Sequence, residues 1–214
     1  MIEVYGSLFS PFVRKVHVVA AEKCLEVAMK PGGGPASSPE FLAASPFRKI
    51  PAMRDGDYAL ADSTAIAMYL EAVAPDPALY PAEAKARGRA VFFEEAADTV
   101  LGAAGGKVVF NRVVKPRLMK VPGDEAMIAQ GEAELVPLMA WLETQASSDG
   151  WLVGDFSIAD IAVASVLTTL SYGGVTPDAA QHPRTVAWLA RVRARPAWQK
   201  VAAIEAEAIK AFMG

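Results

Sequence analysis

Three short stretches carry groups whose types and spacing suit chemistry. The first is Ser7-Leu8-Phe9-Ser10-Pro11-Phe12-Val13-Arg14, where an apolar strand hands over to an apolar-periodic helix. The free N–H groups and positive dipole end of that helix would face whatever sits above the turn. A thiolate there would be stabilised, and a serine hydroxyl would add a directed hydrogen bond. Ser10 is the candidate donor and Ser7 its rival. Ser10 followed by Pro11 also fits a plain N-cap with proline at the first helical position.

The second stretch, Ser45-Pro46-Phe47-Arg48-Lys49-Ile50-Pro51, leads into a strand. If the Ile50–Pro51 bond is cis, Ile50 turns its N–H and C=O outward, free to pair with the backbone of a bound peptide as an added strand. The third is Asp62-Ser63 at a helix start. Its exposed N–H groups and serine hydroxyl could hold a carboxylate, and Asp62 could meet an ammonium group. Read alone, the same pair is an N-cap. The three together suit a short anionic peptide thiol.

The chain itself holds little that could act as a nucleophile or bind a metal. Its one cysteine, Cys24, precludes an internal disulfide or a Cys-x-x-Cys pair, and two histidines, His17 and His182, preclude a histidine-rich metal cluster. We expect the sulfur to come from a cosubstrate, no metal to be needed, and Cys24 to be a buried small apolar residue at the start of the second strand. A net charge of −3 makes no electrostatic case for nucleic acid or an anionic membrane. The first residues lack the pattern of a signal peptide, and no run of about 18 apolar residues occurs, so a soluble cytoplasmic protein is expected.

The elements that must position these groups fall into two classes. Ile2–Tyr5 alternates as a strand, Phe12–Glu22 has helical period, and Leu25–Lys30 reads as a second strand, parallel to the first by the handedness of its crossover. Pro31–Pro35 is a loop, and Ser38-Pro39 caps a short helix. Asp55-Gly56-Asp57 marks a hairpin between Ala52–Arg54 and Tyr58–Leu60, and a helix follows from Thr64 to Val73. The order β-α-β-α-β-β-α predicts a mixed four-stranded sheet with helices on both sides. Three prolines within 75–81 mark a linker. Beyond it the spacing predicts helices over 82–111, 124–146, 158–170, 185–194 and 197–212. The expected division is 1–75, a linker at 76–81, and an all-helical domain over 82–214, an α/β domain followed by an all-α one.

Residues 38–53 (Ser-Pro-Glu-Phe-Leu-Ala-Ala-Ser-Pro-Phe-Arg-Lys-Ile-Pro-Ala-Met) and 62–70 (Asp-Ser-Thr-Ala-Ile-Ala-Met-Tyr-Leu) resemble the glutathione-site signature of cytosolic glutathione S-transferases. The resemblance implies a thioredoxin-like first domain and a C-terminal helical bundle. It implies a cis Pro51, pairing of Ile50 with the cysteinyl backbone of glutathione, and binding of its γ-glutamyl end by Asp62 and Ser63. Ser10 resembles the catalytic serine of the theta and phi classes, four residues before an arginine. Residues 150–162 resemble the family's folding motif, with Ser157 and Asp160 as a capping box. The stretch from His182-Pro183 to Trp198 fits its closing helices.

Phi-class sequences carry a histidine and a lysine where this chain has Ala36-Ser37, which leaves Lys49 as the candidate for the glycine carboxylate. Ser45 stands where asparagine is usual. Tyr5 lies within the strand, and a packed aromatic is its preferred reading.

The resemblance implies a glutathione transferase in which Ser10 donates to the sulfur and glutathione, the cosubstrate, attacks a small hydrophobic electrophile. Leu8, Phe9, Phe12, Phe110 and Arg112 are the candidate electrophile pocket, although a Phe/Val stripe at helical spacing also suits a core. Arg14 is expected to be a surface or interdomain ion pair. Isomerisation, dehalogenation or peroxide reduction would use the same activated thiol. A non-catalytic glutathione-binding module would keep the fold without turnover. Family analogy implies a homodimer.

Overall fold

A computed structural model describes residues 1–34 and 37–213, with side chains as far as Ala208. Pro35 and Ala36, at the end of the expected Pro31–Pro35 loop and at the departure from the phi-class pattern, lie outside the described residues.

The chain forms two compact units, one of Met1–Leu79 with Arg195–Phe212 and one of Tyr80–Ala194. The first holds β1 (Ile2–Tyr5), α1 (Pro11–Glu22), β2 (Val27–Lys30), α2 (Pro39–Ala44), β3 (Ala52–Asp55), β4 (Tyr58–Ala61) and α3 (Ser63–Val73). This is the expected β-α-β-α-β-β-α order. The sheet runs β2-β1-β3-β4, with β1 and β2 parallel and the other pairs antiparallel. Gly56, at φ +59, supplies the left-handed residue of the Asp-Gly hairpin.

Strand alternation sends Tyr5 to the face that α2 covers, where it packs with Phe41, Ala44 and Ala52. Its ring lies 5.9 Å from Phe41, and its hydroxyl donates to Glu3. Burial raises the Tyr5 pKa. It is a packed aromatic, as its place in the strand implies.

The final helix, α9 (Pro196–Met213), belongs to the first unit, whereas the sequence reading gave it to the helical domain. Helix α1 shows why. Its Val13, Val16 and Ala20 are buried, and so are Arg14 and His17 on another stripe. A helix buried all round needs cover on both sides. α3 supplies one cover, and α9 supplies the other through Glu205, which pairs with Arg14. Arg14 is thus a buried pair inside one unit, not a surface or interdomain one. Cys24 is also corrected. It is exposed, at φ +55, in the turn before β2, because α1 ends at Glu22 and the chain must reverse.

The second unit is helical. A long run begins as α4 (Ala84–Glu95), widens to π-helical winding over Ala96–Leu101, returns as α5 (Gly102–Val109), and widens again over Phe110–Met119. It extends past the expected end at residue 111 and carries Pro116, stopping at Lys120 in a left-handed conformation. Then come α6 (Glu125–Gln145), α7 (Ile158–Tyr172) and α8 (Pro183–Arg193). Gly131 of α6 lies against α5, where a Cβ would fall 2.7 Å from the Ala104 carbonyl. Helix α7 is buried along most of its length. Asp160 in its first turn accepts from the N–H groups of Ser157 and Leu152 and from Trp188 Nε1, closing the expected capping box. Among the described residues no helix is long and apolar enough to cross a membrane.

Candidate functional site

The strand registers bring the three stretches to one end of the sheet. Tyr5 pairs with Lys30 on one side and Ala52 on the other, and Ala52 pairs with Ala61. This row ends the ladder on all four strands. The loop from Gly6 to Ser10, the Ile50–Pro51 bond and Asp62 each lie next to it in the chain, so they leave from the same edge.

Gly6 lets them approach closely. It sits at φ +140, and a Cβ there would fall 2.5 Å from Val13 Cγ2 and 3.1 Å from Ile50 Cβ. Neither the angle nor the space admits a side chain. The Gly6 N–H is held by the Lys30 carbonyl at 2.9 Å, which fixes where the loop begins.

Ser10 occupies the N-cap position of α1 in extended conformation, with Pro11 next to it. Its side chain makes no capping hydrogen bond, so the simple capping role does not account for its hydroxyl. Ser10 is partly exposed. The first turn of α1 carries no acidic residue to offset the helix dipole. Ser7, the rival, is exposed, and it shapes the turn: its Oγ accepts from Phe9 N at 3.3 Å and its carbonyl from Ser10 N at 2.9 Å.

The Ile50–Pro51 bond is cis, as the resemblance implies. Ile50 stands just outside the ladder, and the turn delivering it is organised by Ser45. Buried Ser45 Oγ donates to the Lys49 carbonyl at 2.7 Å and accepts from Lys49 N at 2.9 Å. The chain between passes through Arg48 at φ +54. Sequence reasoning noted Ser45 only as a departure from asparagine. Serine keeps both a donor and an acceptor, as asparagine would, so its role shows only once the turn is folded. Lys49 is exposed at this edge.

Asp62 is the N-cap of α3, at φ +82, with Oδ1 accepting from Thr64 N at 2.9 Å and Ala65 N at 3.1 Å. Capping therefore falls to Asp62, and Ser63 is the first helical residue, buried. Behind them the buried Lys15 of α1 donates to Thr64 Oγ1 at 3.1 Å. That brings a cation to the start of α3, and nothing in the local pattern of α1 marked Lys15 for it.

The candidate electrophile residues divide. Leu8 is 1% exposed and serves as core, because its side chain offers no surface. Phe9 and Phe12 flank Ser10 and are partly exposed. Phe110 and Arg112 belong to the second unit. Phe110 is exposed, with Lys115 Nζ 5.8 Å from its ring centroid. Arg112 is held by Glu132 and the Gly173 carbonyl, each at 2.7 Å.

Residues 4–78 match the glutathione S-transferase N-terminal domain, and residues 105–196 match the C-terminal domain of the same family. The chain is 32% identical over 209 residues to glutathione S-transferase 3 of Zea mays, covering 94% of this chain and 93% of that one. Among solved structures it is similar to a glutathione S-transferase from Rhodospirillum rubrum F11. That match has 28% identity and a TM-score of 0.82, over 94% of this chain and 91% of the other. It is also similar to the theta class glutathione S-transferase of the citrus canker pathogen Xanthomonas axonopodis pv. citri with glutathione bound. There the identity is 26% and the TM-score 0.80, over 93% of this chain and 95% of the other.

Proposed function

The chain belongs to the glutathione S-transferase family, and from that premise we propose that it ionises the thiol of bound glutathione for attack on a hydrophobic electrophile, with Ser10 as the hydrogen-bond donor. The observation that carries this reading is the Ser10 hydroxyl, placed at the start of α1 and not used as a cap.

A free thiol has a pKa of about 8.5, and the thiolate is the nucleophile. Lowering that pKa by about 2 units needs about 2.7 kcal/mol of preference for the thiolate. A hydrogen bond to a charged sulfur contributes about 1.5–3 kcal/mol, and the end of α1 adds about 0.3–1 kcal/mol. The two together are of the required size. Glutathione supplies the sulfur, and Ser10 lowers its pKa without being a nucleophile itself.

Lys49 would meet the glycine carboxylate, Ile50 would pair with the cysteinyl backbone beside Pro51, and the Asp62-Ser63 start of α3 would take the γ-glutamyl end. Lys15 behind Thr64 adds positive charge at that end. Phe9 and Phe12, beside Ser10, would present an apolar surface to the electrophile. A homodimer in the cytoplasm belongs to the same reading. Phe47, 84% exposed next to the Ser45 turn, is the kind of aromatic that a partner subunit covers. Light scattering on the eluting peak distinguishes a dimer from a monomer, and Phe47→Ser should shift it toward the monomer.

Ultraviolet titration of the glutathione complex tests the central claim. Ser10→Ala should raise the thiol pKa by a unit or more, while Ser7→Ala should leave it near the wild-type value. An unchanged pKa in Ser10→Ala would refute the assignment.

A further inference from the structure

In the proposed complex α3 receives the γ-glutamyl end of glutathione, yet the start of that helix is poorly supplied with positive charge. The N–H groups of Thr64 and Ala65 are both taken by Asp62 Oδ1. The Asp62 carboxylate therefore sits at the positive end of the α3 dipole, where it offsets the field that an incoming anion would feel. From Ser63 to Val73 the helix carries no lysine or arginine. A cation for the α-carboxylate of the γ-glutamyl end has to come from an element packed against α3.

Helix α1 packs on α3 and sends one. Lys15 is 1% exposed, and its ammonium donates to Thr64 Oγ1 at 3.1 Å, in the first turn of α3. Burying an ammonium is costly unless it is hydrogen-bonded, and Thr64 is part of what holds it. Other cations near this edge are committed elsewhere. Arg14 pairs with Glu205 on α9, and Lys30 at the end of β2 pairs with Glu3. Arg48 and Lys49 lie in the turn before β3, assigned to the glycine end. Thr64 is partly exposed and Lys15 is not, so Lys15 acts on a ligand through Thr64.

We propose that Lys15 is a positioning residue for glutathione, holding the Thr64 hydroxyl and a positive charge behind the start of α3 so that the site selects the α-carboxylate of the γ-glutamyl end. The proposal rests on the placement of that end at Asp62-Ser63. Selection follows from the signs of the charges. With Lys15 in place the carboxylate is attracted, and without it Asp62 repels the carboxylate and favours only the ammonium beside it. Ser10 and Lys15 stand five residues apart on one helix, a rise of about 7.5 Å. Helix α1 would thus serve the thiol with its first turn and the γ-glutamyl end with Lys15.

The experiment is calorimetry on the whole protein with glutathione and two analogues as probes. One is 4-aminobutyryl-cysteinylglycine, which lacks the α-carboxylate, and the other is glutaryl-cysteinylglycine, which lacks the α-ammonium. The wild type should bind glutathione about tenfold more tightly than the 4-aminobutyryl peptide, the loss expected for one charge-assisted contact. In Lys15→Met that ratio should fall to about twofold or less. Glutathione and the glutaryl peptide should weaken together there, while the 4-aminobutyryl peptide keeps its wild-type affinity. Equal weakening of all three would mean that Lys15 only supports the fold, and would overturn the proposal. So would a tenfold ratio that survives in Lys15→Met. If that variant does not fold, Thr64→Val should lose the ratio and Thr64→Ser should keep it, and a ratio kept in Thr64→Val overturns the proposal as well. A wild type that binds glutathione and the 4-aminobutyryl peptide equally would sink the placement of the γ-glutamyl end together with the role of Lys15. None of these results bears on Ser10, which the thiol titration reads separately.

Discussion

Arg14 Nε donates to Glu205 Oε2 across 2.9 Å, joining residues 191 positions apart and fastening the last helix to the first. Both residues are buried, at 1% and 3% exposure. The Arg14 N–H also donates to the Ser10 carbonyl, so the pair anchors the turn of α1 that follows the candidate catalytic serine. Removing one partner of a buried pair strands the other charge, at a cost of about 3–5 kcal/mol. Glu205→Ala should therefore lower the urea midpoint by that equivalent. Arg14→Leu with Glu205→Leu should recover part of the loss. A double variant as unstable as the sum of the singles would show that the two charges act independently.

Gly6 should be as intolerant of change as any residue near the site. A methyl group there meets Val13 of α1 at 2.5 Å and Ile50 at 3.1 Å, on a backbone at φ +140. Overpacking of this kind costs about 1–3 kcal/mol, and the left-handed backbone adds to it. Gly6→Ala should lower the urea midpoint accordingly. Because Ile50 is one of the two residues displaced, calorimetry should also show weakened glutathione affinity in the fraction that folds. Affinity equal to wild type would mean that Val13 alone gives way.

Much of the first unit was legible because glycine and proline punctuate it. Asp-Gly set the hairpin, and Ser10-Pro11 set the start of α1. What escaped notice was decided at a distance. Glu205, in an Ala-rich helix next to Glu207, reads as a solvated charge until Arg14 is placed against it. Cys24 was read as buried because cysteine usually is, whereas the turn after α1 leaves it in solvent. The expected helix end at residue 111 falls short, because wider π-helical winding carries the chain past Pro116 to Met119. The cis Asp76–Pro77 bond had no local sign, although Lys23 holds that linker by donating to the Ala74 and Pro77 carbonyls. At the site, Ser10, Ile50, Pro51 and Asp62 lie at one sheet edge because the registers align. Ser45 and Lys15 stayed out of view because their roles depend on partners that folding supplies.

Ser45 should act on binding and not on turnover. Its hydroxyl spans both the N–H and the C=O of Lys49, so Ser45→Ala loosens the turn that presents Lys49 and Ile50. Two neutral hydrogen bonds contribute about 1–3 kcal/mol together. We expect the glutathione KM to rise about tenfold, the equivalent of about 1.4 kcal/mol, with kcat within about twofold of wild type. Ser45→Asn should restore KM, since an amide also donates and accepts. A fall in kcat at unchanged KM would place Ser45 in the chemical step instead.

Stability should fall with acid in two separable stages. Burial lowers the His17 pKa from 6.5 to about 4. Between those values the unfolded chain takes up the proton and the folded one does not, so stability declines as pH falls through this window. Glu143 acts lower down. Burial alone would raise its pKa, but hydrogen bonds from Thr185 Oγ1 and from the Thr185 and Arg184 N–H groups outweigh that and hold it at about 2. Those bonds cap α8, whose N-cap residue His182 makes no side-chain cap of its own. The Glu143 contribution is present above 4.5 and lost as pH falls toward 2. Burial raises Asp160 in the opposite sense, so the slopes are best read as differences from wild type. Urea midpoints taken across pH 2–7.5 provide the check. His17→Phe should flatten the decline between 6.5 and 4, although Glu26 and Lys200 line a surface groove beside His17. Glu143→Gln should leave that decline intact, lower stability at neutral pH, and flatten the curve below 4.5. Identical acid limbs in all three proteins would show that neither group couples its proton to the fold.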